Sequence, residues 1–128
     1  MTRCYLDTSA AAKLLVTEPE SVALAGWLDQ PGLRPMATLL LETELRRLAV
    51  RLDLSQQAVS GVLEGVELYA LPDTAFRDAG LMSRRDLRSL DALHLAGALR
   101  LDVDVLVTYD ERLAAAGVDV GLAVVAPT

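Results

Sequence analysis

Short apolar runs alternate with helix-like stretches from one end of the chain to the other, and no other feature restricts the fold as strongly. Apolar runs typical of strands occur at 3–6, at 104–108 and in the segments "LRPMA", "VELYAL" and "GLAVVAP". Helical stretches separate these runs, which predicts a mostly parallel sheet with helices on both faces, since parallel neighbours need a long crossover. For 128 residues without a repeat or linker, we expect a single domain over 1–128, an α/β three-layer sandwich.

Capping residues and apolar spacing predict where the helices begin and end. Helices are expected from about residue 8, over Ser21–Leu28, from Ser55 to about Glu64, after Pro72, over 90–100 and over 110–116. Thr38 is expected to cap one more helix, because its hydroxyl can accept a hydrogen bond from the first backbone amides. That helix carries a single apolar stripe, formed by Leu41, Leu45, Leu48 and Leu52.

Cysteine content and hydropathy restrict the class of protein. Cys4 is the only cysteine, so an internal disulfide is excluded, which is typical of a reducing compartment. No apolar segment approaches the roughly 20 residues that cross a bilayer. The apolar run after Arg3 is broken by Asp7 too early for a secretory signal. We therefore expect a cytoplasmic protein without a membrane partner.

The net charge of −6 by itself disfavours a nucleic-acid partner. The basic residues are nearly all arginines, however, and they cluster at Arg46, Arg47 and Arg51 and again at Arg84, Arg85 and Arg88. A guanidinium presents a planar fork that suits phosphate. The charge pattern therefore fits an enzyme whose acids hold cations while its arginines hold an anionic substrate. It also fits an ordinary acidic protein with solvated helix faces, and charge alone favours this second explanation.

Four acidic residues lie at or near predicted strand-to-helix junctions. Asp7 ends the first strand, Asp110 follows "VLVTY", Asp91 heads the helix at 90–100, and Glu44 lies in the second turn of its helix. Junctions of this kind meet at the carboxyl edge of a parallel sheet, where ligands bind. Each acid also has a purely structural explanation, as an N-cap, a first-turn charge or a solvated helix residue.

The helix "DALHLAGAL" favours a functional explanation for the acids taken together. It is apolar nearly all round, so we expect it to be buried, and Asp91 and His94 are its only polar side chains. A carboxylate beside a buried helix is unfavourable unless it is compensated. Two carboxylates about 5 Å apart repel by about 3 kcal/mol at an effective dielectric constant of about 20. Mg²⁺ or Mn²⁺, with oxygen ligands and retained waters, relieves such repulsion.

Four ordered segments span almost the whole chain: "YLDTSAAAKLL", "LLLETELRRL", "LRSLDALHLAGAL" and "VLVTYDERLAAA". They resemble the ordered motifs of PIN-domain ribonucleases, most closely the VapC-type toxins of bacterial toxin–antitoxin pairs. The resemblance implies a PIN-like fold in which Asp7 and Asp91 are the main metal ligands and Asp110 completes the acid cluster. It also selects Glu44, which matches the family's E-L-x-R pattern, whereas the residues alone leave Glu42 as an equal candidate.

The same resemblance implies a function. We expect a Mg²⁺-dependent ribonuclease, with Mn²⁺ as the alternative ion, that hydrolyses RNA phosphodiester bonds as the toxic component of a toxin–antitoxin pair. The implied partners are RNA, a cognate antitoxin that covers the acidic cleft, and a second copy of the chain in a homodimer. The expected catalytic and metal-binding residues are Asp7, Glu44, Asp91 and Asp110.

Residues beside these acids are expected to assist. Thr8, Ser9 and Thr108 are expected to orient ligands or substrate, with capping as the other explanation. Arg84, Arg85 and Arg88 are expected to hold flanking phosphates, or else to be plain surface charges. His94 is expected to be a hydrogen-bonded packing residue rather than a general base, because the sequence shows no partner near it.

Three alternative functions fit the sequence less well. A receiver-like phosphoacceptor domain has a similar length and α/β pattern, but it needs a lysine late in the chain, and the only lysine is Lys13. A hydrolase that forms an aspartyl-phosphate is weaker, because "LDTS" has no second acid two residues after Asp7. A catalytically silent PIN-like binding module is the other alternative, although the presence of all four acids disfavours it.

Overall fold

The computed structural model describes all residues from Met1 to Thr128. The strands are β1 (Thr2–Leu6), β2 (Leu33–Thr38), β3 (Glu67–Tyr69), β4 (Val105–Val107) and β5 (Ala123–Val125). The helices are α1 (Thr8–Leu15), α2 (Ser21–Leu28), α3 (Leu40–Leu52), α4 (Gln56–Glu64), α5 (Asp73–Gly80), α6 (Ser89–Arg100) and α7 (Glu111–Asp119). No helix is long and apolar enough to cross a membrane.

The strands form one parallel sheet in the order β3-β2-β1-β4-β5. The chain builds the sheet outward from β1 to β3 and then crosses back to add β4 and β5 on the other side. The direction of winding therefore reverses between β1 and β4, and crevices at such a reversal are the usual ligand sites of doubly wound sheets. The predicted α/β sandwich with a parallel sheet is confirmed. The receiver-like alternative is wrong, because that fold has the order 2-1-3-4-5.

The central strand is the most buried part of the sheet. Cys4, Tyr5 and Leu6 of β1 have no solvent exposure. The helices pack in two groups, one of α1 to α4 and one of α5 to α7, as expected for a helical layer on each face. Small side chains let α5 and α6 approach closely, through the buried cluster of Ala75, Ala79, Ala92 and Ala96. The predicted burial of "DALHLAGAL" is thus confirmed for most of α6, although Leu99 is 41% exposed.

Two details of the predicted helices are wrong. Thr38 is the last residue of β2 and pairs with Tyr69 of β3, so Leu39 precedes α3 in its place and forms no side-chain cap. The chain stays extended through Thr38 because the ladder to β3 continues that far. On α3, Leu52 is 49% exposed, and Ala49 is buried in its place beside Leu41 and Leu45.

Candidate active site

Asp7 and Asp110 follow the two adjacent strands at which the winding of the sheet reverses. Both are helix N-caps: an Asp7 Oδ1 accepts a hydrogen bond from the Ala10 amide at 3.0 Å, and Asp110 Oδ1 accepts one from the Leu113 amide at 2.9 Å. The same residue can therefore cap a helix and lie at the ligand-binding edge, because strand-to-helix junctions lie at the carboxyl edge of the sheet.

The Asp7 carboxylate is buried among hydrogen-bond donors. The Ser9 hydroxyl lies 2.8 and 2.9 Å from its two oxygens, and Thr108 donates to Oδ2 at 2.6 Å. The Tyr109 amide in turn donates to Ser9 Oγ at 2.9 Å, so these bonds join the ends of β1 and β4. Burial raises the pKa of Asp7 above its ordinary value, and the donors oppose this shift without cancelling it. Ser9 and Thr108 thus contact the carboxylate that they were predicted to orient.

Glu44 is held in place by a second set of hydrogen bonds. Its Oε1 accepts a bond from the Thr8 hydroxyl at 2.7 Å and lies 2.6 Å from His94 Nε2. Burial acts to raise the pKa of Glu44, but the hydrogen bond and charge of His94, with the Thr8 bond, outweigh it and lower that pKa. Glu42, the rival candidate, pairs with Arg46 on the outer side of α3 at 3.1 Å. The structure therefore places Glu44, and not Glu42, beside the other acids.

His94 links this carboxylate to the core. Its side chain is 2% exposed, and Nδ1 lies 2.7 Å from the Tyr5 hydroxyl, which is 3.3 Å from Thr38 Oγ1. Because the Glu44 carboxylate can only accept, Nε2 is the donor in this hydrogen bond. The predicted hydrogen-bonded packing histidine is confirmed.

The expectation that His94 lacks a partner is wrong, because Glu44, fifty residues earlier in the chain, is that partner. A signal was present in the sequence. Asp91 and His94 are three residues apart in a helix and therefore share a face. A histidine on the same face as a candidate ligand is a reason to expect it at the site.

Asp91, Glu44 and Asp110 line one cleft of about 650 Å³, which we call the acid cleft. Its full lining is Glu44, Arg88, Ser89, Leu90, Asp91, Asp110, Glu111 and Arg112. No hydrogen bond from the chain reaches the Asp91 carboxylate. Burial, followed by the negative charges of Asp110 and Asp7, raises the pKa of Asp91. The four acids therefore influence one another electrostatically at this edge of the sheet.

The carboxylates do not enclose a metal ion by themselves. No group of three or more His, Cys, Asp and Glu side chains is close enough together to do so. The oxygen donors nevertheless suit Mg²⁺, which binds through one or two carboxylates and retains several waters. Asp91, partly buried and without a donor from the chain, is the side chain whose charge most needs a cation.

The predicted arginines occupy three different settings. Arg88 lines the acid cleft. Arg84 pairs with Asp86 at 2.8 Å and with Asp119 at 2.6 Å, away from the cleft, and Arg85 is exposed outside it. Arg112, which was not among the predicted site residues, also lines the cleft, two residues after Asp110 in the "YDERL" motif.

Comparison with known proteins places this geometry in a family. The model of the PIN domain matches residues 4–118. The chain belongs to the PIN-domain family. The PIN-domain chain is 38% identical over 130 aligned positions to Ribonuclease VapC46 of Mycobacterium tuberculosis, covering all of both proteins. It is 42% identical to Ribonuclease VapC35 of the same organism, with 96% of each covered. It is therefore a member of the VapC ribonucleases within the PIN-domain family.

Solved structures agree on the fold of this PIN domain. VapBC2 from Rickettsia felis, bound to a DNA fragment from its promoter, matches with a TM-score of 0.76 and 14% identity over 99% of this chain and 100% of that one. VapC20 of Mycobacterium tuberculosis, a toxin that cleaves the sarcin–ricin loop, matches with a TM-score of 0.73 and 18% identity over 89% and 95%. At these identities the likeness extends to the fold alone.

Proposed function

We propose that this chain is a Mg²⁺-dependent ribonuclease that hydrolyses RNA phosphodiester bonds as the toxin of a toxin–antitoxin pair. The observation that carries the proposal is the acid cleft, where Glu44, Asp91 and Asp110 face one space and Asp91 has a raised pKa and no donor from the chain. Membership of the VapC ribonucleases supports the same reaction.

Asp7 and Asp91 are the proposed main ligands of the metal ion, with Asp110 and Glu44 completing the set directly or through water. Mg²⁺ is the proposed ion and Mn²⁺ the alternative. A divalent cation in such a site lowers the pKa of a bound water and offsets negative charge on the phosphoryl oxygens. The acidic donor set fits this role, because hard cations prefer carboxylate oxygens.

The chain's own residues keep the carboxylates in position. Ser9 and Thr108 orient Asp7, while Thr8 and His94 orient Glu44 through the bonds described above. His94 is thus a positioning residue, since it contacts Glu44 and is too buried to meet the substrate. Bonds of this kind to metal-binding side chains commonly change affinity or activity by about 10- to 100-fold.

Arginines at the rim are proposed to hold the substrate backbone. Arg88 and Arg112 line the acid cleft, so their guanidinium groups are within reach of phosphates that flank the reacting one. The pairing of Arg84 with two carboxylates makes it a weaker candidate, and Arg85 remains a prediction.

The partners are proposed from the same family. Several solved neighbours are toxin–antitoxin complexes, among them VapBC-1 of Haemophilus influenzae and a complex from Klebsiella pneumoniae. We propose that a cognate antitoxin covers the acid cleft, that the chain acts in the cytoplasm as a single domain, and that it forms a homodimer. Co-expression with the antitoxin should relieve growth arrest, and sedimentation should give the mass of two chains.

Cleavage assays on the purified full chain test the nuclease proposal. Transfer, ribosomal and messenger RNA are each incubated with Mg²⁺, with Mn²⁺, or with EDTA. We expect cleavage of at least one class with either ion, none with EDTA, and none by D91N. E42Q is the matched control, because Glu42 lies on the same helix as Glu44 but faces Arg46, and it should cleave normally. Wild-type cleavage by D91N, or no cleavage of any RNA by the wild type, would overturn the proposal.

A further inference from the structure

A second cleft, which we call the basic cleft, lies against the acid cleft. It has a volume of about 610 Å³ and shares Glu44 and Leu90 with its neighbour. Its other lining residues come from α1 and α3: Thr8, Ser9, Ala12, Leu40, Thr43, Arg47, Leu48 and Arg51. The two clefts therefore form one continuous depression whose charge changes sign at Glu44.

Arg47 and Arg51 are the only charged residues of the basic cleft besides Glu44. Both are exposed, and neither side chain forms a hydrogen bond or an ion pair with the rest of the chain. Arg46, their neighbour on α3, is instead bonded to Glu42, Gln56 and Ser60. The chain thus uses Arg46 internally and leaves the two adjacent guanidinium groups for an anion.

The spacing of these arginines suits a repeating anion. Four residues of an α-helix rise about 6 Å, and side chains at that separation lie on one face. Neighbouring phosphates of a nucleic-acid strand are separated by a distance of the same order. The Thr43 hydroxyl also lines this cleft, and such groups commonly contact sugar and phosphate oxygens.

Electrostatics gives a reason for positively charged side chains in the basic cleft. A phosphodiester that enters the acid cleft approaches several carboxylates in a chain whose net charge is −6, so the approach is repulsive before any cation contributes. Arginines immediately beside the carboxylates offset that repulsion and raise the local concentration of polyanions. A docked protein would also cover this cleft, but adjacent unpaired guanidiniums continuous with the carboxylates favour a strand that runs through both.

We propose that Arg47 and Arg51 bind consecutive phosphates of the RNA strand on the α3 side of the reacting bond. The inference rests on the proposed ribonuclease function. The basic cleft would bind the part of the RNA strand next to the bond that is cleaved. Contacts of this kind are independent of sequence, so any single-stranded RNA serves as a probe.

Salt-dependent binding tests the inference. A labelled single-stranded RNA of mixed sequence is titrated with the full-length protein in EDTA, so that it stays intact, and the association constant is measured by fluorescence anisotropy at several salt concentrations. Each phosphate contact to a single strand contributes about 0.7 to the slope of the logarithm of affinity against that of salt. R47A and R51A should each reduce the slope by about that amount, and R47A/R51A by about twice that amount.

R77A is the matched control, because Arg77 is an exposed arginine on α5 that lies in neither cleft. Its slope should equal that of the wild type. In cleavage assays with Mg²⁺, R47A/R51A should raise KM several-fold and leave kcat nearly unchanged, since the arginines bind away from the reacting atoms. Unchanged thermal unfolding of R47A/R51A shows that folding is intact.

The outcomes separate this inference from the nuclease proposal. If the wild type cleaves RNA while R47A/R51A keeps its slope and KM, the inference is overturned and the nuclease proposal stands. If the slope depends on both arginines but no cleavage occurs, the nuclease proposal fails and the binding site stands. If R47A/R51A binds RNA normally but no longer retains a co-expressed antitoxin, the basic cleft is a protein-docking surface and the inference is wrong.

Discussion

The acid cleft has one side on which the chain donates hydrogen bonds to a carboxylate and one side on which it does not. On the α3 side, Glu44 accepts bonds from Thr8 and His94, and its pKa is lowered because these contacts outweigh burial. On the α6 side, the carboxylate of Asp91 accepts none, and its pKa is raised by burial and by the charges of Asp110 and Asp7.

This difference shows how the fold divides the stabilisation of its acidic residues. The ionised form of Glu44 stabilises the folded chain, whereas the ionised form of Asp91 destabilises it. Proteins retain such locally unfavourable groups where function requires them. On this basis Glu44 is held in position before any ligand binds, while the charge of Asp91 requires a compensating group from outside the chain.

The largest expected effects come from neutralising each carboxylate in turn. D91N and E44Q should both reduce RNA cleavage, D91N by on the order of 10³-fold, since losing a proposed metal ligand would remove several kcal/mol of transition-state stabilisation. In EDTA, the changes in unfolding free energy relative to the wild type should differ between the two variants. E44Q should lose about 1 to 2 kcal/mol of unfolding free energy with its charge-assisted hydrogen bonds, and D91N should unfold at the same or higher urea concentration. Equal destabilisation by both would contradict the comparison.

Substitution of His94 tests whether the α3 side depends on it. H94A should lower kcat by about 10- to 100-fold through loss of Glu44 positioning, and lower the unfolding free energy by about 2 to 4 kcal/mol through the cavity it leaves. H94Q keeps an amide donor toward Glu44 and should recover part of kcat. Y5F removes the bond to Nδ1 without touching Glu44, so its kcat should change less. Equal kcat in H94A and the wild type at a temperature where both are folded would exclude the positioning role.

Gly97 is expected to stabilise the α3 side of the acid cleft, because it allows α6, which carries His94, to approach β2. A Cβ at this position would lie 2.7 Å from Thr38 Cγ2 and 3.4 Å from the Tyr5 hydroxyl. G97A should therefore lower the unfolding free energy by about 1 to 3 kcal/mol, as measured by urea denaturation.

Gly61 of α4 is the control, because nothing lies within 4 Å of a Cβ there. G61A should be neutral or stabilise the helix by up to about 1 kcal/mol. T38S removes the methyl group that G97A would meet and should restore part of the loss in the double variant. If the double variant shows no such coupling, α6 shifts in G97A instead of pressing on Thr38.

The smallest expected effect is on the pH dependence of stability without metal. Because the pKa of Glu44 is lowered, its contribution is present above its ordinary value of 4.5 and is lost as the pH falls through the folded-state pKa. Because the pKa of Asp91 is raised, the folded chain is destabilised as the pH rises from 3.8 through the folded-state pKa of Asp91. The deficit of E44Q should therefore disappear in acid, and the relative gain of D91N should grow with pH before it levels off. Parallel curves for both variants and the wild type would contradict these pKa directions.

Features that depend on neighbouring residues were predictable from the sequence. Asp7, Ser55 and Asp110 each accept a hydrogen bond from the amide three residues later, which is a local property of helix N-termini. The alternation of strands and helices, which is also set by neighbouring residues, predicted the parallel sheet. Thr38 is an instructive failure, because a capping residue beside a strand can instead extend that strand when a neighbouring strand pairs with it.

The sequence by itself determined the elements of this protein, the parallel sheet and the junctions at which its acids lie. Only the tertiary structure decided the order of the strands, which brings the ends of β1 and β4 together, and the approach of α6 to α3, which gives His94 its partner Glu44. The same packing left Arg47 and Arg51 unpaired beside the site and engaged Arg84 with Asp119. Local conformation follows from a few adjacent residues, whereas contacts between residues fifty or a hundred positions apart depend on how whole elements pack.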